Sequence, residues 1–294
     1  MRVCFKHRFL YVGRVLFSSS HAVRCMTWWE AALLGLIQGL TEFLPVSSSG
    51  HLVLGQHLLG LDSETDVTFE VFVHFGTVLS ILTVYGRDVV RLLHEAGGAL
   101  IAPLEIPERY TSRETFRLGV FILITMIPTG LVYVFFKDEL EAAFNNPRLA
   151  SGMLLVTGTL LLLTLLRPNP KGALSPLKAL VVGVAQSAAM IPGISRSGST
   201  ICTALYQNVR PEQAANFSFL MLLPVVLGAT LLKSIDLLEQ GPTVEWMPLL
   251  LGTLIAYASG VVAIKLMIDF VKRGNLQYFA YYCFLIGGLG LWLL

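Results

Sequence analysis

Residues 31–61 read AALLGLIQGLTEFLPVSSSGHLVLGQHLLGL: an apolar run from Ala31 to Leu44, a polar break at Pro45-Val46-Ser47-Ser48-Ser49-Gly50, and a second run from His51 to Leu61. At 1.5 Å per residue neither run crosses roughly 30 Å of hydrocarbon, so the unit reads as half-helix, polar loop, half-helix. The same unit recurs further along. Leu177–Ile191 breaks at Pro192-Gly193-Ile194-Ser195-Arg196-Ser197-Gly198 and resumes at Ser199–Val209. An offset of 148 residues superposes Gly35 on Gly183, Gln38 on Gln186, Ser47 on Ser195, Ser49 on Ser197 and Gly50 on Gly198, with Pro45 and Pro192 one residue out of step.

Around these units lie uncharged runs long enough to span a bilayer: Leu118–Phe136, Leu149–Leu166, Gln213–Leu232, Trp246–Ile264 and Leu276–Leu294. A sixth, Val67–Gly86, tolerates Glu70 and His74. With 54% hydrophobic and 14% charged residues among 294, and a mean hydropathy of +0.69, the chain is too apolar for a water-soluble domain or a disordered one. The expected fold is an all-α polytopic membrane protein of six transmembrane helices plus two re-entrant helix-loop-helix hairpins. Each half is then one hairpin followed by three spans. An odd number of crossings inverts the second half relative to the first, which gives an inverted-topology repeat whose two loops meet near the midplane.

The Lys/Arg distribution separates hairpins from broken spanning helices. With two hairpins, segments 87–117, 167–178, 209–212 and 265–275 share one side and carry 12 basic residues, against 3 in 62–66, 137–148 and 233–245. If only the second unit crossed, the tally would be 9 against 6. The stronger bias favours hairpins, with the basic side cytoplasmic. Asp62, Glu64 and Asp66, the Asp138/Glu139/Glu141 cluster and Asp236/Glu239/Glu245 then lie outside.

The formal charge of +2 hides an asymmetry. Five of the 21 basic residues, Arg2, Lys6, Arg8, Arg14 and Arg24, fall in 1–25 with no acid, leaving 16 against all 19 acidic residues. Such a balance implies no nucleic-acid partner. Residues 1–25 read as a basic N-terminal extension outside the fold, upstream of a natural start at Met26 with Trp28 and Trp29 as interface anchors. Residues 26–294 form a single membrane domain, with repeat halves of about 26–166 and 175–294. Cys4, Cys25, Cys202 and Cys283 show no paired or metal-ligand spacing; Cys202 and Cys283 are expected to pack as reduced thiols.

Chemistry concentrates in the loops. Each ends in Ser-x-Ser-Gly just before a half-helix whose free N–H groups point back at it, an arrangement suited to anions. Irregular backbone at membrane depth survives where it is buried or lines a wet cavity, and ionisable groups there mark function. Arg196 can grip phosphate oxygens bidentately. Gln38 and Glu42 share one helix face, and with His51, Ser47, Ser48 and Ser49 they supply the parts of a general base and a nucleophile. Helix capping is the plainer account of most of these serines. Glu42 with a diphosphate can hold Mg²⁺ or another divalent cation through substrate oxygens and water. Glu70 and His74, also four apart, either support the site or satisfy each other.

The run Gln38-Gly39-Leu40-Thr41-Glu42-Phe43-Leu44-Pro45-Val46-Ser47-Ser48-Ser49-Gly50-His51, taken with Pro192-Gly193-Ile194-Ser195-Arg196-Ser197-Gly198-Ser199-Thr200, resembles the two signatures of the undecaprenyl-diphosphate phosphatase, or bacitracin-resistance protein, family. The likeness extends over Met26–Leu294. It implies hydrolysis of undecaprenyl diphosphate to the monophosphate, recycling the cell-wall lipid carrier in the bacterial plasma (inner) membrane from a site opening to the outer side. Bacitracin, which sequesters the diphosphate, would then compete for the substrate. By position, Glu42, His51 and Arg196 would be essential and Ser48 a nucleophile or phosphate ligand. Ser195 and Thr200 would contact phosphate, beside the loop groups Ser47, Ser49, Gly50, Ser197 and Gly198. Gln38 stands where many members have glutamate, which leaves Glu42 as the base or Mg²⁺ ligand. Gln38 and Glu70 become supporting residues. A homodimer is compatible with the sequence but not specified by it.

Two other readings compete. Inverted repeats with broken helices also build secondary transporters and lipid flippases, and fold alone does not separate these from a phosphatase. The acid-phosphatase type of lipid phosphatase shares an element like Ser49-Gly50-His51, but Cys202 stands where its second histidine is needed.

Overall fold

The computed structural model describes residues 2–3, 26–59, 67–166, 169–228 and 246–294, and these are almost entirely helical. Helix α1 (Trp28–Phe43) begins where Glu30 turns back to accept the Thr27 N–H at 2.7 Å, closing a capping box. It stops at Leu44 because Pro45 cannot continue a helix. After the loop, α2 covers Ser48–Leu59 and α3 Val67–Ile101. A short α4 (Ile106–Ser112) leads into α5 (Glu114–Phe144), and Asn146 caps α6 (Pro147–Leu163) by accepting the Leu149 N–H at 3.0 Å. The second half begins with another pair of short helices about a loop. Helix α7 (Pro176–Ala188) ends before Pro192, α8 (Arg196–Tyr206) follows the second loop, and α9 (Pro211–Leu220) turns at Met221 and is helical again over 222–228. Helices α10 (Trp246–Arg273) and α11 (Gln277–Leu293) close the chain.

Four of the described helices, Phe69–Ile101, Glu114–Phe144, Pro147–Leu166 and Trp246–Arg273, are long and apolar enough to cross a membrane. The protein is thus an all-α membrane protein. Helices α3 and α5 run beyond the uncharged stretches that announce them, and each leaves helical geometry where that stretch ends: Tyr85 (φ −110, ψ 17) just before Arg87, and Phe136 (φ −128, ψ 24) just before Lys137. Charge that must leave hydrocarbon and helix that continues outside it are reconciled by a bend. The tail of α3 is pinned to α4 and to the residue that joins α4 to α5 by Glu95, which meets Arg109 at 3.4 Å and Arg113 at 3.0 Å.

Helix contacts follow the small residues. A Cβ added at Gly39 would overlap Ala256 O and Ser259 Oγ of α10, so α1 and α10 approach backbone to backbone. Gly35 does the same against Gly252, and its counterpart Gly183, on α7, packs on Thr125 of α5. Between α3 and α10 two hydroxyls cross the interface, Ser80 to Tyr257 O at 2.9 Å and Thr253 to Phe72 O at 3.1 Å. Because the obstacle at Gly39 is backbone, Gly39→Val should cost more than about 2 kcal/mol, read as a lowered melting temperature in detergent. A melting curve unchanged from the parent would contradict this packing.

Of the expected extension 1–25, only Arg2 and Val3 are described; they pair as a two-residue strand with Met26–Thr27. The acidic segments at 62–66 and 236–245, Cys4, Cys25 and the end of the span expected at Gln213–Leu232 lie outside the described residues. Cys202 and Cys283 are buried free thiols.

Candidate functional site

The two loops share a pair of serine hydrogen bonds. In the first, the Ser47 and Ser49 hydroxyls lie 3.2 Å apart and Ser47 Oγ accepts the Gly50 N–H at 3.2 Å. In the second, Ser195 and Ser197 lie 3.2 Å apart and Ser195 Oγ accepts the Gly198 N–H at 3.0 Å. Ser47 is held at φ +68, a left-handed conformation uncommon for a residue with a Cβ and a form of strain that collects at functional sites. The loops also touch: Ser197 donates to Leu44 O at 3.1 Å, and a Cβ at Gly50 would meet Gly193 Cα at 2.9 Å. Gly193 itself needs its glycine, since it sits at φ +94 against Ala150 O. Thr157 of α6 fixes the second loop by donating to Gly193 O at 2.8 Å and accepting the Ser195 N–H at 3.0 Å.

Glu42 stands where the loops meet. Its Oε1 accepts from Arg196 Nη2 at 3.0 Å, across 154 residues of sequence, and its Oε2 accepts from Ser48 Oγ at 2.6 Å and Gln38 Nε2 at 3.0 Å. Arg196 Nη1 donates to Ser218 O at 3.0 Å, so the guanidinium bridges α1 and α9 while its other N–H groups remain for a ligand. The carboxylate is 7% exposed and the arginine 13%. A charge pair this buried holds together only because every partner is in place.

His51 is oriented from both sides. Its Nδ1 lies 2.8 Å from Ser47 O, and a carbonyl only accepts, so Nδ1 carries the proton. In the neutral ring Nε2 is then the acceptor, and it meets the Tyr282 hydroxyl at 2.9 Å. His74 approaches Glu42 Oε2 to 4.0 Å. Its Nδ1 bonds the Glu70 backbone carbonyl at 2.7 Å. His74 of the Glu70/His74 pair therefore reaches Glu42.

Other expected residues serve the scaffold. Thr200 is fully buried, donating to Arg196 O at 2.8 Å and sharing a hydrogen bond of 2.6 Å with Ser218. Ser195, Ser197 and Ser47 are buried in capping and loop-to-loop bonds, as the capping account anticipates. Ser48 and Ser49 are the half-buried hydroxyls. Sequence reasoning missed Tyr282, Ser218 and Thr157; each sits in an apolar run, and the one signal was a polar group in uncharged surroundings.

Since Arg196 spans two acceptors, Arg196→Lys keeps the charge but not the fork. The rate of any phosphate chemistry here should fall about 10- to 100-fold, the worth of one charged hydrogen bond. A loss under tenfold would remove the bidentate role.

The arrangement offers a hydroxyl bonded to a carboxylate, an oriented imidazole and a guanidinium, all at two apposed helix-capping loops. The sequence of the chain is similar to those of known proteins. A family model described as "Bacitracin resistance protein BacA" covers residues 31–289. An undecaprenyl-diphosphatase of Salinibacter ruber is 69% identical over 270 residues, 92% of this chain and 100% of that protein. Those of Bacteroides fragilis and Halothermothrix orenii are 42% and 41% identical, each over 89% of this chain and 96% of theirs.

Proposed function

The chain belongs to the bacitracin-resistance protein family, and from that premise we infer that it is a membrane-embedded undecaprenyl-diphosphatase, cleaving undecaprenyl diphosphate to the monophosphate and inorganic phosphate. The observation that carries this reading is Glu42, held between Ser48 of its own loop and Arg196 of the other. A carrier that only moved lipid would have no need of a serine hydroxyl set on a carboxylate.

In the reaction, Arg196 and the loop N–H groups hold the diphosphate and take up the charge that develops on the terminal phosphoryl group. Ser48 Oγ attacks the terminal phosphorus as its proton passes to Glu42 Oε2, and the bond to the bridging oxygen breaks so that the lipid monophosphate leaves. Water then attacks the phosphoserine, giving its proton to His51 Nε2, while the Ser48 Oγ–P bond breaks and Glu42 returns its proton to Oγ, so that inorganic phosphate departs and the serine is restored. Ser48 is better placed than His51 for direct attack because its hydroxyl already donates to the Glu42 carboxylate.

Mg²⁺ or another hard divalent cation fits this corner. The Oε1 of fully buried Gln38 has no hydrogen-bond partner and lies on the helix face of Glu42, so the two would hold the ion with water and substrate oxygens. Bound there, it would neutralise diphosphate charge.

Six spans and two re-entrant hairpins related by an inverted repeat complete the reading. Its support is the serine hydrogen bonds that the loops share and the reciprocal packing, α1 on α10 and α7 on α5, through Gly35 and Gly183. The basic side is cytoplasmic, the membrane is the bacterial inner membrane, and the site opens outward, where bacitracin competes for the same lipid.

The test is phosphate release from a prenyl diphosphate by the purified, detergent-solubilised protein, with and without chelator, followed by acid quench. One phosphate per lipid and a phosphorylated Ser48 are expected. Turnover without a phosphorylated chain would transfer the attack to water, and lipid binding without release would favour the transporter.

A further inference from the structure

Beyond the residues that meet substrate, His51 has a partner that nothing in the loop motifs announces. Tyr282 comes from α11, the last helix of the chain, 231 residues from His51 in sequence. Its hydroxyl lies 2.9 Å from Nε2, and the two rings are nearly parallel at 5°, with centroids 5.5 Å apart. The next residue, Cys283, directs its Sγ at Pro45 O, 3.9 Å away, so consecutive residues of α11 touch the first loop at its start and at the histidine beyond it. Helix α11 is itself seated closely on α6: a Cβ at Gly290 would overlap Ser151 Oγ, and Gly287 would meet Ser151 O at 2.7 Å. Tyr282 therefore stands on a fixed support.

We propose that Tyr282 is a positioning residue for the phosphatase reaction, holding the His51 ring with its Nε2 lone pair directed into the site until the attacking water takes the place of the phenol. This rests on the reading of His51 as the base for that water. The Ser47 carbonyl fixes which nitrogen is protonated, and the phenol fixes where the unprotonated one points. With one anchor alone, the ring could rotate about its side-chain torsions and lose the geometry that general-base transfer requires. The hydrogen bond and the ring contact that Tyr282 makes are both to His51, so its influence runs through that ring.

Tyr282→Phe keeps the ring and removes one oxygen. In the full-length protein in detergent it should lower kcat about tenfold with KM within about twofold and the melting temperature unchanged, the size expected for one lost hydrogen bond. In a His51→Ala background it should add no further loss. Cys283→Ala, which loosens the contact to Pro45 but not the ring, should keep kcat. A wild-type kcat for Tyr282→Phe, an undiminished Tyr282→Phe effect without His51, or an equal loss in Cys283→Ala would each overturn the proposal. Full activity in His51→Ala alone would instead remove the base assignment on which it rests.

Discussion

Glu42→Gln should lower phosphate release by about 10³-fold, within the range general-base residues contribute, while costing less stability than Glu42→Ala. The amide keeps the shape and can still accept from Arg196, but it cannot take the Ser48 proton that the carboxylate receives across 2.6 Å. Glu42→Ala should lose as much rate and more stability: both variants leave Arg196 buried without its counter-charge, a cost of about 3 kcal/mol or more, but alanine also removes every hydrogen bond made to this side chain. Measured side by side, the two variants separate chemistry from folding. Equal activity in Glu42→Gln and the parent would remove the carboxylate from the reaction.

Ser48→Ala should lower the rate at least roughly 10³-fold, as loss of a nucleophile does, and should leave lipid binding close to that of the parent. The reason lies in what Ser48 does not do. Ser47, Ser195 and Ser197 are buried in caps and loop contacts, so their removal would disturb the loops themselves. Ser48 is half-buried, and Glu42 accepts its hydroxyl proton. Release and binding by the purified variant check this. Parent-like release would pass the attack to water.

How far the sequence alone leads can be read from individual residues. Pro45 and Pro192 stop two apolar helices short of a full crossing, and the Ser-x-Ser-Gly copies behind them fold to matching hydrogen bonds. That much follows from local rules: proline ends a helix and serine caps the next. Glu42 and Arg196 were legible because an ionisable group in apolar surroundings needs a purpose. Helix ends were less legible. Uncharged runs end at Gly86 and Phe136, yet α3 and α5 bend at Tyr85 and Phe136 and continue, because hydropathy records where hydrocarbon ends and not where hydrogen bonding does.

Partners across the bundle were hidden for a different reason. Tyr282 and Thr157 lie in runs whose apolar neighbours give no period, so nothing local says which face meets a loop. His74 comes within 4.0 Å of Glu42 while its Nδ1 bonds the Glu70 carbonyl, a choice of rotamer that spacing does not determine. Thr200 looks like a phosphate contact from its place in the motif, but its hydroxyl is closed between Arg196 O and Ser218.

The central claim is that the two loops act as one site, and a double-mutant cycle on phosphate release tests it most directly. Glu42→Gln, Arg196→Lys and the double variant would be measured with undecaprenyl diphosphate under one set of detergent conditions, with melting temperatures recorded for each. Residues that meet at 3.0 Å and act on one phosphoryl group should be strongly coupled, the double variant losing little more than Glu42→Gln alone. Losses that simply multiply, in folded variants, would mean that the two loops work independently and would contradict the account.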